Sequence, residues 1–566
     1  MDIRRTILLM IFSFSLLMLW NNWQVHQGKT PLFGVNPAAT ASKETAASAQ
    51  AGASSGVPSM PVTPVAGAPA NPTVPGNAPA AAAQTVSVKT DVLRLTFDLQ
   101  GAQLVGADLL LFPSSDDKSA PEVLLQRDKT RTYVVQSGLT GAPPEAPFPS
   151  HLAPFTLVSD ALELTGDALV VKFASEAGGV RLIKTFTLHR GSYAIDVDHH
   201  IENLSDQPVS PFVYLQITRD GFIPADANAA PSFFSGPAAF VGAALYSEQS
   251  KFEKVTFTDI EKHKASYIKQ ADNGWFAMVQ HYFVTAWVPP QGKSRTYEVA
   301  ELQKDLFAVR SLEPVGAVNP GNNVTIRSKL WLGPQDQNSL EALAPGLELV
   351  VDYGMLTIIA KPLFALMTWL HGMLGNWGWT IIALTCLIKA AFYPLSAASY
   401  RSMAKMKQVG PRMQVLKEKF GDDRQKLNAA MMEMYRTEKI NPLGGCLPIV
   451  IQIPVFISLY YVLLSSVELR DAPWIFWVQD LATRDPYFIL PAIMMGTMFL
   501  QMKLNPTPPD PVQAKVMMFM PLVFGGMMFF FPSGLVLYWC VNNILSIAQQ
   551  WYITQKMAKL AATPHR

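Results

Sequence analysis

The sequence predicts a multi-domain membrane protein in which a large antiparallel β-sandwich precedes an α-helical bundle. Three features of the 566 residues support this. Near residue 351 a mostly polar chain gives way to long apolar runs, so the mean hydropathy of +0.17 averages two unlike halves. The first half contains short runs of alternating character, such as "VLRLTFDL", which are typical of strands. The second half repeats its apolar residues at helical spacing, in stretches approaching the ~20 residues of a membrane span.

The N-terminus has the pattern of a signal-type anchor. The residues "MDIRR" precede an apolar run from Ile7 to Trp20, and no small-residue cleavage site follows directly. We therefore predict an uncleaved anchor over residues 1–27, the first of six transmembrane spans. Residues 28–87 hold nine prolines and only three charged residues. This composition predicts a disordered linker, because too few large apolar groups are present to offset the entropy of ordering.

Residues 88–345 are predicted to form the β-sandwich. Runs such as "YAIDVDHHI" and "FVYLQIT" alternate with period two and are bounded by Gly, Pro, Asn or Asp. Some helix is expected near the end of this domain. His199 and His200 are adjacent in one such run, so they should face opposite sides of a sheet and make a poor metal pair.

Helical periodicity begins near residue 351. Residues 351–373 carry one apolar stripe interrupted by Lys361, Pro362 and His371, which predicts an amphipathic helix lying in the membrane interface. A short span is the alternative. Residues 377–397 are the predicted second span, and residues 447–556 contain the third to sixth, over about 447–466, 486–501, 514–531 and 535–551. Since the fourth and fifth are shorter than a full crossing, we expect a locally thinned bilayer.

The distribution of charge predicts the topology. Residues 398–440 hold ten Lys or Arg against five acidic residues, whereas the loop over 468–485 has two Arg against four acidic residues. The positive-inside rule then places both termini in the cytoplasm and the sandwich outside. Residues 557–566 form a short cytoplasmic tail in this scheme.

Residues 398–440 are predicted to form a cytoplasmic coiled-coil hairpin. Met406, Val409, Met413, Leu416 and Phe420 follow a 3-4-3-4 spacing, and Asp422 or Asp423 can cap the returning helix. Methionine side chains adapt to varied apolar partners. The candidate docking residues are Met406, Met413, Met431 and Met434. A solvated connector without a docking role is an equally open interpretation.

Lys389 is the residue that the composition explains least. It lies in "TCLIKAAFYPL", inside the predicted second span, where a charge costs about 2.5–3.5 kcal/mol on insertion scales. The predicted second to sixth spans contain no Asp or Glu in their apolar cores. One interpretation is that Lys389 reaches the cytoplasmic boundary, about 10 Å away at 1.5 Å per residue. The other is that it faces a water-filled groove, with Thr385 one turn earlier on the same helix face. The polar residues Gln452, Asn542 and Asn543 of other spans are further candidates to line the groove.

Several function classes lack support. The net charge of +2 indicates no nucleic-acid specificity, and the three cysteines fit no metal site. No phosphate loop, nucleophile elbow or zinc-binding helix is present. We therefore expect neither an enzyme nor a bound cofactor.

Four segments together resemble the YidC/Oxa/Alb family of membrane protein insertases in its Gram-negative form. They are "NWGWTIIALTCLIKAAFYPL" with the hairpin that follows it, "EKINPLGGCLPIVIQIPVFISLYYVL", "SVELRDAPWIFWVQDL" and "FPSGLVLYW". The resemblance covers roughly residues 351–556 in order. The anchor, linker and sandwich resemble that form more loosely.

The resemblance implies a five-helix core around a hydrophilic groove whose positive residue receives the polar segment of a substrate. Lys389 matches that position, where the family usually has arginine. The implied groove lining includes Thr385, Gln452, Tyr538, Trp539 and Asn542. The implied function is an insertase and chaperone that acts alone or with the Sec translocon. Expected partners are nascent inner-membrane proteins, the lipid bilayer, and also targeting factors and the ribosome, although the short tail offers the ribosome little to bind.

Two other functions stay open at this point. A polytopic transporter or channel with a periplasmic ligand-binding domain would need paired intramembrane charges or broken helices at the midplane, which the pattern does not show. A tethered periplasmic carbohydrate-active enzyme would not need five further spans.

Overall fold

The computed structural model describes residues 84–115, 117–223, 240–420, 423–438, 447–505 and 511–562. The predicted anchor, nearly all of the predicted linker, Asp422 and Cys446 therefore lie outside the described residues. The described chain separates into two compact units at residues 351 and 352, six residues beyond the predicted end of the sandwich.

The first unit is a sandwich of two antiparallel sheets, as the alternating runs predict. In chain order the strands are β1 Thr85–Lys89, β2 Leu93–Asp98, β3 Gln103–Pro113, β4 Pro121–Arg127, β5 Thr132–Thr140, β6 Thr156–Leu157, β7 Ala168–Ala177, β8 Val180–His189, β9 Ala194–Asn203, β10 Phe212–Asp220, β11 Gly242–Ser247, β12 Lys251–Val255, β13 Gln270–Ala271, β14 Trp275–Gln280, β15 Phe283–Val288, β16 Arg295–Gln303, β17 Leu306–Pro314 and β18 Asn323–Pro334.

Each sheet has nine of the described strands. One has the order β1-β2-β3-β4-β5-β10-β17-β16-β13 and the other β12-β11-β14-β15-β18-β9-β8-β7-β6. The core lies between them, where Phe97 of the first sheet meets Phe173 and Phe186 of the second at ring distances of 5.0 and 4.8 Å. The helices of this unit are α1, Phe257–Glu261, and α2, Gln337–Leu343, the latter being the helix expected near the domain end.

Two predicted boundaries of the sandwich are wrong by a few residues. The linker was expected to reach residue 87, but β1 begins at Thr85 and pairs in register with β2. Backbone pairing with a neighbouring strand orders these small side chains, which local composition cannot reveal. At the other end, a 3₁₀ turn over Leu347–Val350 buries Leu347 and Val350 in the same unit.

The interior of the sandwich contains a lysine and a histidine. Lys184 on β8 is fully buried, and its Nζ donates to the carbonyl oxygens of Gly101 (2.6 Å) and Ser137 (2.7 Å). Beside it, the Nε2 of buried His199 lies 2.8 Å from the Ser137 hydroxyl. Burial lowers the pKa of Lys184 to about 7, and burial together with the Lys184 charge lowers the pKa of His199 to about 3. A neutral amine keeps two N–H donors, which match the two carbonyls.

The second unit is helical. Its helices are α3 Thr357–Leu374, α4 Trp377–Ala391, α5 Tyr393–Gln408, α6 Gly410–Phe420, α7 Arg424–Thr437, α8 Leu447–Ser465, α9 Ile489–Leu504, α10 Pro511–Met527 and α11 Ser533–Ala562. The last is longer than the predicted sixth span and includes residues 557–562 of the predicted tail.

Two helices differ from the predicted spans. Helix α3 is the one described helix whose own length and composition suit a membrane crossing, although we predicted it to lie in the interface. The second span, predicted over 377–397, ends at Ala391, and α5 continues at an angle of 67°. Pro394 explains the break, since its ring clashes with the carbonyl four residues earlier and it lacks an N–H to donate. The remaining apolar helices are shorter, and the six-span arrangement stays a prediction.

We expect the Lys184 amine to destabilise the folded sandwich at neutral pH. Its pKa is lower in the folded chain than the ordinary 10.5. Between pH 7 and 10 the unfolded chain therefore holds a proton that the folded chain lacks, so stability should rise with pH by up to about 1.4 kcal/mol per unit. Lys184→Met should remove this contribution and stabilise the domain at pH 7. Exposed Lys172 on β7 provides the matched control, Lys172→Met.

Urea unfolding of the detergent-solubilised full chain at pH 7, 8 and 9, read by proteolysis of the sandwich, measures both variants. Equal pH slopes for Lys184→Met and Lys172→Met would contradict a titrating buried amine.

Candidate functional site

Helix α4 carries the two candidate groove residues of the second span. Its first turn is capped by Asn376, whose side chain accepts from the Trp379 N–H at 3.2 Å. Lys389 lies in the last turn, just before the bend that Pro394 imposes. The bend directs the following helix away from the α4 axis and leaves the Lys389 ammonium beside α11.

The hydroxyl of Ser546 on α11 holds the Lys389 ammonium. Lys389 Nζ donates to Ser546 Oγ at 2.7 Å, and Ser546 Oγ in turn donates to the Asn542 carbonyl at 2.7 Å. The Tyr400 side chain lies beside the same hydroxyl. A hydroxyl has one proton and two lone pairs, so Ser546 can accept from Lys389 while it donates to Asn542. All of the partners are uncharged, and no ion pair to Lys389 occurs within the described residues.

A second polar contact joins α8 and α11. Gln452 Nε2 donates to the Tyr538 hydroxyl, and Tyr538 is fully buried. Tyr538, Asn542 and Ser546 are four residues apart, so they lie on one stripe of α11 that spans about 12 Å along the helix axis. The implied groove residues Tyr538 and Asn542 thus share a helix face with the partner of Lys389, and Gln452 of α8 contacts that face at Tyr538.

Two other predicted lining residues are less open than a groove surface requires. The Thr385 hydroxyl donates to the Ile381 carbonyl of its own helix at 2.7 Å, and the residue is buried. Trp539 packs between the rings of Phe456 and Phe524, at 4.7 and 5.1 Å. Its buried indole N–H has no hydrogen-bond partner in the described part of the chain. The hydrogen bond of the Lys389 ammonium goes to neither of them but to Ser546.

The sequence did not single out Ser546 or Tyr400. Each residue looks ordinary in a helix, and their roles come from packing, since Tyr400 clusters with Ile553 of α11. A local signal existed for Ser546: it follows Tyr538 and Asn542 at intervals of four residues, which places three polar groups on one face of an apolar helix.

The hairpin helices α6 and α7 pack against each other. Asp423 caps α7, as one of the two predicted candidates, by accepting from the backbone N–H groups of Gln425 and Lys426, each at 3.1 Å. Arg412 pairs with Glu438 at 2.6 Å, and the Tyr435 hydroxyl donates to the Met413 sulfur at 3.2 Å.

The four candidate docking methionines are only partly available on this hairpin. Met413 is buried between α6 and α7, and Met406, Met431 and Met434 are half-buried. The most exposed methionine of the described hairpin is Met432, at 64% exposure, with Val415 at 61% on α6. The 3-4-3-4 spacing therefore identified side chains that face the neighbouring helix, and not the exposed side of the hairpin.

No group of three or more His, Cys, Asp or Glu side chains in the described ranges could hold a metal ion.

Comparison with known proteins gives consistent matches over the whole chain. The family "YidC periplasmic domain" matches residues 85–366, and the family "60Kd inner membrane protein" matches residues 369–560. The "Membrane protein insertase YidC" of Bordetella petrii is 66% identical over 563 residues, 99% of each chain. That of Cupriavidus necator is 50% identical over 560 residues, covering 99% of this chain and 98% of the relative. A crystal structure of an active YidC insertase is 18% identical, covers 84% of this chain and 93% of that chain, and has a TM-score of 0.41.

Lys389 and Ser546 should be energetically coupled. Ser546→Ala leaves a part-buried ammonium without its hydroxyl partner, so we expect a loss on the order of 1 kcal/mol in unfolding free energy. In a Lys389→Met background the same Ser546→Ala change should cost less, because no charge is left unpaired. Thr497 bonds Asn543 at 3.3 Å, so Thr497→Ala is the control and should be additive with Lys389→Met.

Reversible unfolding of the purified protein in mixed detergent micelles measures the cycle. Additivity of the Lys389 and Ser546 changes within 0.3 kcal/mol would show that the 2.7 Å contact contributes nothing.

Proposed function

This chain belongs to the YidC family of membrane protein insertases, and we propose that the Lys389 ammonium is the landing site for the polar segment of a membrane protein in transit. The family is an inner-membrane one with a periplasmic domain, and its insertases are not enzymes. The hydrogen bond between Lys389 and the neutral Ser546 hydroxyl is the observation that supports this mechanism of insertion.

An ammonium has three N–H donors, and within the described residues Ser546 accounts for one of them. Water satisfies the others between substrates. An incoming carboxylate would displace that water and supply the opposite charge that the bundle lacks. Because no acidic residue in the described part of the chain pairs with Lys389, its attraction remains available to a substrate.

The short helices support an easier crossing for the polar segment. Helix α9 has 16 residues and α10 has 17, which correspond to about 24–26 Å at 1.5 Å per residue. The hydrocarbon core of a typical bilayer is about 30 Å thick. Helices of this length favour a locally thinned bilayer, which shortens the distance over which a hydrated tail must pass.

The apolar part of the substrate then enters lipid along the bundle surface. Helix α10 presents large apolar side chains to its surroundings, and α8 is predominantly apolar apart from Gln452 and its serines. The transfer is driven by burial of substrate apolar surface in the hydrocarbon and, for acidic tails, also by the membrane potential. The exposed apolar residues of α10 are Val516, Met518, Phe519, Met520, Leu522 and Val523.

The same proposal includes a membrane topology and a set of partners for this chain. We place six spans in the inner membrane with both termini in the cytoplasm, because the basic segment 398–440 and the acidic loop 468–485 satisfy the positive-inside rule on opposite sides. The hairpin would then receive nascent chains from the cytoplasm. Met432 and Val415 are the apolar side chains it exposes for this purpose. Cooperation with the Sec translocon, and contacts with targeting factors and the ribosome, belong to the same proposal.

We expect Lys389→Ala to reduce insertion of short substrates with acidic outer tails by at least tenfold. Lys389→Arg should retain most activity, because it keeps the charge beside Ser546. The assay is protease protection of one small single-span or hairpin substrate in liposomes that contain the purified protein. Lys405→Ala, which removes an exposed lysine of α5, is the control for loss of basic charge. Undiminished insertion by Lys389→Ala would rule out an essential charge.

A further inference from the structure

In the connection between α8 and α9, residues 470–488 follow a 3₁₀ turn over Val467–Leu469 and have a fixed backbone without an α-helix. The Leu481 N–H donates to the Ala472 carbonyl at 3.1 Å, which closes the loop on itself. Two bonds then tie it to the start of α11: Ser533 N–H to the Thr483 carbonyl at 2.7 Å, and Gly534 N–H to the Leu481 carbonyl at 3.0 Å. We call these residues the outer loop.

A buried carboxylate organises the second half of the outer loop. Asp485 is 1% exposed and accepts three hydrogen bonds. They come from the Trp477 indole at 3.1 Å, the Tyr487 backbone at 3.0 Å and the Leu490 backbone at 2.7 Å. Because the Leu490 N–H belongs to the first turn of α9, the carboxylate also stabilises that helix end. One side chain therefore fixes the aromatic residues around it relative to the bundle.

The first half of the outer loop is fixed to α4. The Asn376 side chain donates to the Pro473 carbonyl at 2.9 Å. The Trp474 ring lies so close to Gly378 that a Cβ there would sit 2.1 Å from it, which only glycine allows. Trp379 meets the same ring edge-on at 5.8 Å.

This fixed loop displays aromatic side chains outward. Phe476 is 81% exposed and Tyr487 is 68% exposed, and Phe488 is also exposed. Phe476 and Phe488 have φ of 53° and 56°, in the left-handed region that favours Gly or Asn. At Phe476 and at Phe488, the loop therefore combines a strained backbone conformation with an exposed apolar ring. The Phe476 ring stacks on Trp477 at 6.1 Å, and Trp477 and the Tyr487 backbone bind one oxygen of Asp485, so Asp485 holds together the two segments that carry Phe476 and Tyr487. We call these two displayed side chains the patch.

We propose that the outer loop is a preformed membrane-interface anchor that seats Phe476 and Tyr487 at the headgroup–acyl boundary of the outer leaflet and sets the depth of the bundle. The loop is continuous at both ends with the apolar helices α8 and α9, so its rings lie where those helices leave the hydrocarbon. Trp and Tyr are enriched at this depth because an apolar ring and a polar N–H or O–H group match the two media, as at Tyr487, and the Phe476 ring adds apolar area. The assignment of the leaflet rests on the topology of the proposed function.

A fixed bundle depth has a consequence for insertion. Short helices can thin the bilayer only if one end of the helix bundle is held at a membrane interface. Rigid rings at the outer surface hold it there, and the distance from that surface to Lys389 is then constant.

Spin-label accessibility in vesicles of phosphatidylethanolamine and phosphatidylglycerol tests the anchor. The full chain with Cys386, Cys446 and Cys540 replaced by Ala receives one cysteine by Phe476→Cys, Tyr487→Cys or Thr483→Cys, each carrying a nitroxide. Thr483 is the control, because it is exposed on the same loop but is neither aromatic nor part of the patch.

At 476 and 487 we expect collisions with oxygen to exceed those with a water-soluble nickel chelate, and at 483 the reverse. Nickel accessibility at 476 and 487 equal to that at 483 would overturn the proposal, since the rings would then face water. Low accessibility to both reagents would also overturn it and would indicate a protein-covered surface. The readout is independent of Lys389 and of insertion activity, so loss of the anchor and loss of the landing site can be told apart.

Discussion

The contact between the Lys389 ammonium and the Ser546 hydroxyl is the interaction on which the membrane unit depends. The break between α4 and α5 after Ala391 places the ammonium at the end of α4, and the stripe of polar residues on α11 brings Ser546 to it. The Ser546 hydroxyl is uncharged, so it can hold the ammonium but cannot neutralise it. The resulting uncompensated charge costs free energy in the resting protein, and this cost is what an acidic substrate segment can relieve.

The two units accommodate a lysine without a carboxylate in different ways. In the sandwich, Lys184 is fully buried, has two backbone carbonyl partners and has a pKa lowered by burial to about 7. That environment suits a neutral amine and leaves no access for a ligand. Lys389 is half-buried and has one neutral partner, which suits a hydrated charge. The same side chain is therefore structural in one unit and accessible in the other, and the difference lies in the number of fixed acceptors around it.

Residue patterns within short segments predicted the strands and the helix cap, which depend on local sequence. The alternating runs became strands, Asp423 caps its helix, and His199 and His200 occupy the same strand with His199 facing the core. The family match confirmed the insertase. The break after Ala391 was missed although Pro394 was visible, because the apolar run continues past it. The burial of Lys184 and the exposure of Met432 arise from contacts between segments far apart in the chain, and a single sequence contains no signal for them. For Ser546 the sequence contains only its spacing of four residues from Asn542, which does not identify Lys389 as its partner.

The central claim is that charge complementarity between Lys389 and the substrate tail drives the first step of insertion. Reversing both charges tests it most directly. In liposomes without a membrane potential, Lys389→Glu should block a substrate with an acidic outer tail and should insert the same substrate when its tail acids are changed to lysine. The unaltered protein should show the opposite preference. Equal insertion of both substrates by both proteins would contradict the account.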